Sequence, residues 1–209
     1  MRQTNLFLVD DEPDVTNSLR WLLESVGLVA TAFNLPQQFL QFLTTSSGPC
    51  CIILDLRMPG LTGIEVLERI ISLRPDASVV FLSGHSDVPT AVRAMKLGAF
   101  DFLVKPFNPQ SFLECTNRAC RQAEGEYELV YRKRCNQEAL AKLTSRERQI
   151  FDCVIIGMSS KEIGRVLHIS PKTVDVHRAS IMKKMGVTST RELNQKFQPV
   201  TDDRQPAHA

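Results

Sequence analysis

Four short apolar runs in this chain end in residues that can handle phosphate. NLFLVDD closes on Asp10 and Asp11, CCIILDL carries Asp55, SVVFLSG carries Ser83, and FDFLVKP carries Lys105. Three carboxylates, a hydroxyl and an amine are the parts of a magnesium-dependent site that phosphorylates an aspartate. Asp55 is the candidate nucleophile, because a carboxylate can attack phosphorus and hold the group as an acyl phosphate. Three acids brought together repel one another. Mg2+, which prefers oxygen ligands, relieves that repulsion and screens an incoming phosphoryl group. Lys105 would pair with one phosphoryl oxygen and Ser83 would donate to another. Singly, each residue has a plainer reading. Asp10 at a strand end caps the next helix, Ser83 before Gly84 sits in a turn, Lys105 is surface and Phe102 is core. The chemistry rests on the combination.

The ends of those runs can meet only if the runs are strands of one sheet. Strands are expected over 5–10, 29–33, 50–55, 78–83 and 100–104, mostly near-continuous apolar runs suited to a sheet covered on both faces. Helices are expected over 14–26, 36–45, 63–73 and 88–98; Ile64, Leu67, Ile70 and Ile71 form a stripe at helical spacing. Asp11-Glu12-Pro13 and Met58-Pro59-Gly60 punctuate loops. Strands alternating with helices imply a right-handed, doubly wound α/β fold. Ligands bind such a sheet beyond the carboxyl ends of its strands, where neighbours send their connections to opposite faces. If the first and third strands are neighbours, Asp10, Asp11 and Asp55 converge there.

The rest of the chain is helical in pattern. A charged but neutral helix from 109 to about 140, with one glycine at Gly125, reads as a connector. Thr144 with Glu147, Ser159 with Glu162 and Ser189 with Glu192 match the capping box. Ser170-Pro171 sets an N-cap before a proline at the first helical position. Ser159–Leu167, the turn 168–170, and Pro171–Met185 then read as helix, turn, helix. On the last helix Val174, Ile181 and Met185 form the inner stripe, with His177 and Arg178 at its margins. Lys172, Val176, Ala179 and Lys183 face outward, flanked by Thr173, Asp175 and Ser180. Small apolar groups between lysines suit a major groove, where Val176 and Ala179 can meet thymine methyls. Asp175 either accepts from a cytosine amine or discourages non-specific phosphate binding. His177 reads as a packing residue. Residues from 199 are expected to be a disordered tail.

Bulk properties agree with a soluble globular chain: 209 residues, 43% hydrophobic and 23% charged. No stretch approaches the roughly 20 apolar residues that span a bilayer, and the N-terminus lacks a signal peptide's basic start and cleavage site. No membrane partner and a cytoplasmic location are expected. Six cysteines include no C-x-x-C pair, which argues against zinc. Charge is uneven. Residues 1–108 hold 8 Lys and Arg against 11 Asp and Glu, a net −3, whereas 140–209 hold 12 against 7, a net +5. The basic back is therefore the part expected to meet a polyanion.

Residues 1–108 resemble the receiver domain of bacterial two-component response regulators. The resemblance lies in Asp10-Asp11, Asp55 within LDLRMPGLTG, Ser83 in LSGHSDVPTAVRAMKLGAFDFLVKPF, Phe102 and Lys105-Pro106. Residues 143–197 resemble the LuxR-type helix-turn-helix, in LTSRERQIF, SSKEIGRVLHISPKTVDVHRASIMKKMGV and TSTREL. Together the chain resembles a FixJ-type member of the NarL/FixJ family. This implies a flavodoxin-like (βα)5 receiver with a parallel five-stranded sheet, followed by an all-α LuxR-type helix-turn-helix domain. Its expected boundaries are a receiver at 1–122, a helical linker at 123–140 and a DNA-binding domain at 141–198.

The resemblance also assigns roles. Asp55 would be phosphorylated by a sensor histidine kinase. Asp11, Asp55 and the backbone carbonyl of Arg57 would hold Mg2+, with Asp10 outside the ligand set or acting through water. Ser83 and Phe102 would form the switch pair beside Lys105, and the Lys105-Pro106 bond would be cis. Lys172, Asp175, Val176 and Ala179 would face bases, while Thr173 and Lys184 would meet the DNA backbone; the pair Lys183-Lys184 reads as phosphate contacts in the basic half, against ordinary surface charge. The chain would regulate transcription, by activation, and would not be an enzyme. Its partners would be the kinase, promoter DNA, a second copy on phosphorylation, and RNA polymerase. A phosphatase of the haloacid-dehalogenase type fits poorly, since that class wants D-x-D and residues 55–57 read Asp-Leu-Arg. A phosphate-independent DNA-binding module is disfavoured by the complete set of site residues.

Overall fold

The computed structural model describes residues 4–84 and 88–197; the tail expected from 199 lies outside them. The chain divides into two units, Met1–Tyr131 and Arg132–Ala209.

The first unit is built on five parallel strands, β1 (Asn5–Val9), β2 (Ala30–Phe33), β3 (Cys50–Asp55), β4 (Ser78–Ser83) and β5 (Asp101–Val104), in the order β2-β1-β3-β4-β5. Helices α1 (Pro13–Glu24), α2 (Pro36–Leu43), α3 (Gly63–Leu73) and α4 (Val88–Lys96) alternate with them, and α5 (Pro109–Leu140) follows. Every residue of β3 and β4 is buried. The pleat divides β3 between two cores. Cys50, Ile52 and Leu54 pack with Phe39, Leu67 and Ala94 from α2, α3 and α4. Cys51 and Ile53 pack with Leu19, Leu23, Phe112 and Ala119 from α1 and α5. Each Leu, Ile or Phe side chain so removed from water contributes about 1.5–3 kcal/mol. Because β1 has β2 on one side and β3 on the other, and α1 and α2 lie on opposite faces, a crevice opens beyond Val9 and Asp55. The expected strand 5–10 stops one residue short. Asp10 leaves the ladder, and its Oδ1 accepts the Glu12 N–H at 2.9 Å before Pro13 starts α1.

In the second unit α6 (Ser145–Ile155), α7 (Ser160–Leu167), α8 (Pro171–Met185) and α9 (Thr190–Phe197) enclose Ile150, Phe151, Val154, Ile163, Val174, Ile181, Met185 and Leu193. Ala139 and Leu140, near the end of α5, pack against that core. Two of the expected capping boxes form as drawn, at Thr144–Glu147 and Ser159–Glu162. The third is only half made. Ser189 Oγ accepts the Glu192 N–H at 3.2 Å, but the Glu192 carboxylate turns to Thr188, which offers it both an N–H and a hydroxyl. A box that the sequence reading did not include, Thr62–Glu65, opens α3. Ser170 caps α8 through the Thr173 N–H at 3.0 Å, and left-handed Gly186 closes that helix.

Candidate phosphoryl-acceptor site and DNA-facing helix

At the crevice, Lys105 Nζ lies 2.7 Å from Asp10 Oδ2 and 2.8 Å from Asp55 Oδ1. Residues 95 and 50 positions apart thus share one ammonium. The other Asp55 oxygen, Oδ2, accepts the Arg57 N–H at 2.7 Å. Asp11, half-buried, follows Asp10 in the loop before α1. Ser83 is buried one residue beyond Leu82, the register partner of Asp55. Its carbonyl accepts the Lys105 N–H at 2.7 Å, which fixes the start of the cis Lys105-Pro106 turn. Phe102, half-buried on β5, sets its ring 6.3 Å from that of Phe81. The structure therefore brings Asp10, Asp55 and Lys105 into direct contact and places Asp11, Ser83 and Phe102 on the elements around them.

The electrostatics follow from this crowding. Burial pushes the Asp55 carboxyl up, the Lys105 and Arg57 donors pull it back, and the Asp10 charge adds to the rise; the net direction is upward. Burial pulls the Lys105 ammonium down, but the hydrogen bonds to Asp10 and Asp55 outweigh it and the net direction is again upward. Two acids that already share one cation, in an all-oxygen donor set, suit Mg2+ better than a softer metal. Among the described residues no three Asp, Glu, His or Cys side chains stand gathered as a ligand cluster; Lys105 stands between two of the acids.

On α8 the inner stripe falls on the expected residues. Val174, Ile181 and Met185 are buried, while His177 and Arg178 are half-buried. Lys172, Thr173, Asp175, Val176, Ala179 and Lys183 are exposed, Val176 at 65%. Three of the expected DNA-facing side chains also carry protein contacts. Asp175 Oδ1 accepts from Ser160 Oγ at 2.6 Å. Thr173 and Ser170 hydroxyls lie 2.8 Å apart. Lys184 Nζ lies 2.6 Å from Oε2 of buried Glu147. The capping residue Glu147 thus also ties α6 to α8, since Ser180 Oγ donates to its Oε1 at 2.7 Å. That second role has no sequence signal, because it depends on which helices pack. Among the described residues no helix is long and apolar enough to cross a membrane.

Comparison with known proteins places both halves. Residues 6–117 match the response regulator receiver domain family, and residues 141–197 match the bacterial regulatory proteins of the luxR family. The transcriptional regulatory protein FixJ of Bradyrhizobium diazoefficiens is 40% identical over 189 residues, which cover 90% of this chain and 92% of that one. Among solved structures, the response regulator StyR superposes with a TM-score of 0.78 at 35% identity, covering 93% of this chain and 98% of that one. The beryllofluoride-activated NtrC4 receiver domain dimer gives a TM-score of 0.54 at 33% identity, over 57% of this chain and 98% of that one. The receiver family takes its phosphoryl group from a sensor kinase with Mg2+ bound, and the luxR-type domain binds DNA. The chain belongs to the bacterial two-component response regulators that join a receiver to a LuxR-type DNA-binding domain, a family of transcription regulators rather than enzymes.

Proposed function

We propose that Asp55 is the phosphoryl acceptor and that its modification switches promoter binding by α8. The observation that supports this most directly is the single ammonium of Lys105 shared between Asp10 and Asp55, at 2.7 and 2.8 Å. It puts a cation where a phosphoryl oxygen would arrive. An Asp55 oxygen forms the O–P bond as the P–N bond to the kinase's histidine breaks. The electron pair returns to the imidazole, which takes a proton from solvent. Lys105 moves its donation from the carboxylates to a phosphoryl oxygen, and the Ser83 hydroxyl donates to another. Asp11, Asp55 and the Arg57 carbonyl would hold Mg2+, with Asp10 outside the ligand set. When bound, the metal offsets the charge of the acids and of the incoming group.

As Ser83 shifts toward the new anion, Phe102 turns into the space it leaves, and the surface carrying α4 and β5 changes. A second copy then docks; the activated NtrC4 receiver, solved as a dimer, supports that step. Lys172, Asp175, Val176 and Ala179 read bases, while Thr173, Lys183 and Lys184 lie along the sugar–phosphate chain. We place the receiver at 1–122, the connector at 123–140 and the DNA-binding domain at 141–198. The outcome is transcription activation through RNA polymerase, in the cytoplasm. The decisive test is base- and hydroxylamine-labile labelling by a small phosphodonor with Mg2+. Asp55→Asn abolishes the label and the gain in operator affinity produced by beryllofluoride. Label retained at wild-type level would falsify the assignment.

A further inference from the structure

We infer that Asn34, oriented by Thr16, is a positioning residue for phosphoryl transfer: its amide clamps the main chain of Asp10 and so sets the acid-bearing loop. This rests on the reading of Asp55 as the acceptor.

Asn34 follows β2, the edge strand, and is half-buried. Its Nδ2 donates to the Asp10 carbonyl at 2.9 Å and to Thr16 Oγ1 at 3.3 Å. Thr16 is buried on α1, and its own hydroxyl donates to the Pro13 carbonyl at 3.0 Å. With its proton committed there, Thr16 offers Asn34 only a lone pair. Both neighbours of the amide are therefore acceptors, and nitrogen rather than oxygen must face them.

Asp10 is held from every side. Its N–H donates to the Phe33 carbonyl at 3.2 Å, and its carbonyl accepts from Asn34. Two consecutive residues at the end of β2 thus grip one peptide unit on each side of the Asp10 Cα. The carboxylate is fixed by Glu12 N–H and Lys105. Among the described residues no strand N–H donates to the Asp10 carbonyl beyond the ladder, so the Asn34 amide continues β2's hold on β1 just where the chain turns. Asn34 touches no reacting atom. It acts through Asp10, and through Asp11, the next residue in the same loop.

The test compares full-length wild type, Asn34→Asp, Thr16→Ser, Thr16→Val and Asp55→Asn. Asn34→Asp keeps the shape but turns the donor into an acceptor and adds a negative charge, so the uncharged Thr16 pair serves as its control. Three quantities are read: Mg2+ affinity by titration, the Mg2+ dependence of labelling by acetyl phosphate, and amide hydrogen exchange at residues 10–12 in magnesium-free protein. Asn34→Asp should weaken Mg2+ binding by about tenfold, the scale found when partners that orient metal ligands are removed. Exchange at residues 10–12 should speed up, while the labelling rate at saturating Mg2+ stays near wild type. Thr16→Ser should retain wild-type behaviour and Thr16→Val should lose part of it, which decides the matter even if Asn34→Asp fails to fold. Wild-type Mg2+ affinity and exchange in Asn34→Asp, or identical Ser and Val variants, overturn the inference alone. Label surviving in Asp55→Asn overturns the acceptor assignment itself.

Discussion

Each half of the molecule holds a buried carboxylate against a lysine, and the two pairs are tuned in opposite directions. Asp55 meets Lys105 at 2.8 Å, but it shares that ammonium with a second acid, Asp10, and has one backbone donor. Burial prevails, and the Asp55 carboxyl is pushed up. Glu147 meets Lys184 at 2.6 Å and shares it with no other acid among the described contacts. Lys184, the Thr144 N–H and the Ser180 hydroxyl together hold Glu147 down at about 2. On the proposed reading of Asp55, the difference separates a group kept reactive from a group used to fasten helices. A carboxylate left short of donors and crowded by a like charge is ready for a new partner; one that accepts from Thr144, Ser180 and Lys184 at once is not.

The largest effect that bears on this contrast comes from two glycines. A Cβ at Gly63 would lie 2.6 Å from the Asp55 carbonyl oxygen and 2.9 Å from Leu56 Cα. A Cβ at Gly164 would lie 2.7 Å from the Ile169 carbonyl oxygen, in the turn before α8. Both clashes involve backbone that cannot swing away, so each alanine variant should destabilise by about 1–3 kcal/mol. Their functional readouts should part. Gly63→Ala displaces the end of β3 and slows labelling, whereas Gly164→Ala weakens operator binding and leaves labelling intact. Denaturant melts with both assays check this. Wild-type labelling in a destabilised Gly63→Ala chain would mean that the placement of Asp55 tolerates movement of its own strand.

How much of this was legible in the chain depended on whether a feature repeats along it. β3 was readable because Cys50–Leu54 is an unbroken apolar run that ends on Asp55, and all six residues are buried. Asp10, Asp55 and Lys105 were readable because each closes or directly follows a strand, and the register of a parallel sheet brings such ends together. Asn34 and Thr16 were not readable. Asn34 bonds the main chain of Asp10 across 24 residues and the side chain of Thr16 across 18, with no period to reveal either bond. The Thr144–Glu147 box was visible at its fixed three-residue spacing, but the grip of Glu147 on Ser180 and Lys184 spans 33 and 37 residues and exists only once α6 packs on α8.

A smaller effect appears on changing pH, and its sign differs between the halves. Glu147, held below its unfolded value, contributes stability that is present above the ordinary glutamate range, near 4.5, and lost as pH falls toward about 2. Asp55, held above its unfolded value of 3.8, contributes stability that is present below that value and lost as pH rises through its folded value. Glu147→Gln should therefore flatten the acid limb of a stability–pH profile. Asp55→Asn should raise stability at neutral pH and leave the limb below 3.8 nearly unchanged. Thermal melts from pH 2 to 8 give the profiles. A Glu147→Gln chain with an unaltered acid limb would remove the lysine–glutamate pair from the account of how α6 and α8 hold together.

The smallest effect distinguishes two lysines on one helix. Lys172 is exposed near the start of α8, where its ammonium can reach a phosphate at little cost. Lys184 has a third of its side chain exposed, and its Nζ is already paired with Glu147. A lysine that neutralises one phosphate releases about 0.9 of a counterion, so losing it lowers the salt slope of binding by about that much. Lys172→Ala should show that full change with little loss of stability. Lys184→Ala should show a smaller change in slope together with a lower melting temperature, because DNA has to compete with Glu147 for the same ammonium. Measuring log affinity against log salt for a promoter duplex separates the two. Equal slopes for the two variants would mean that the Glu147 pair opens whenever DNA binds, and that this carboxylate, as proposed for Asp55, exchanges its lysine partner as part of its function.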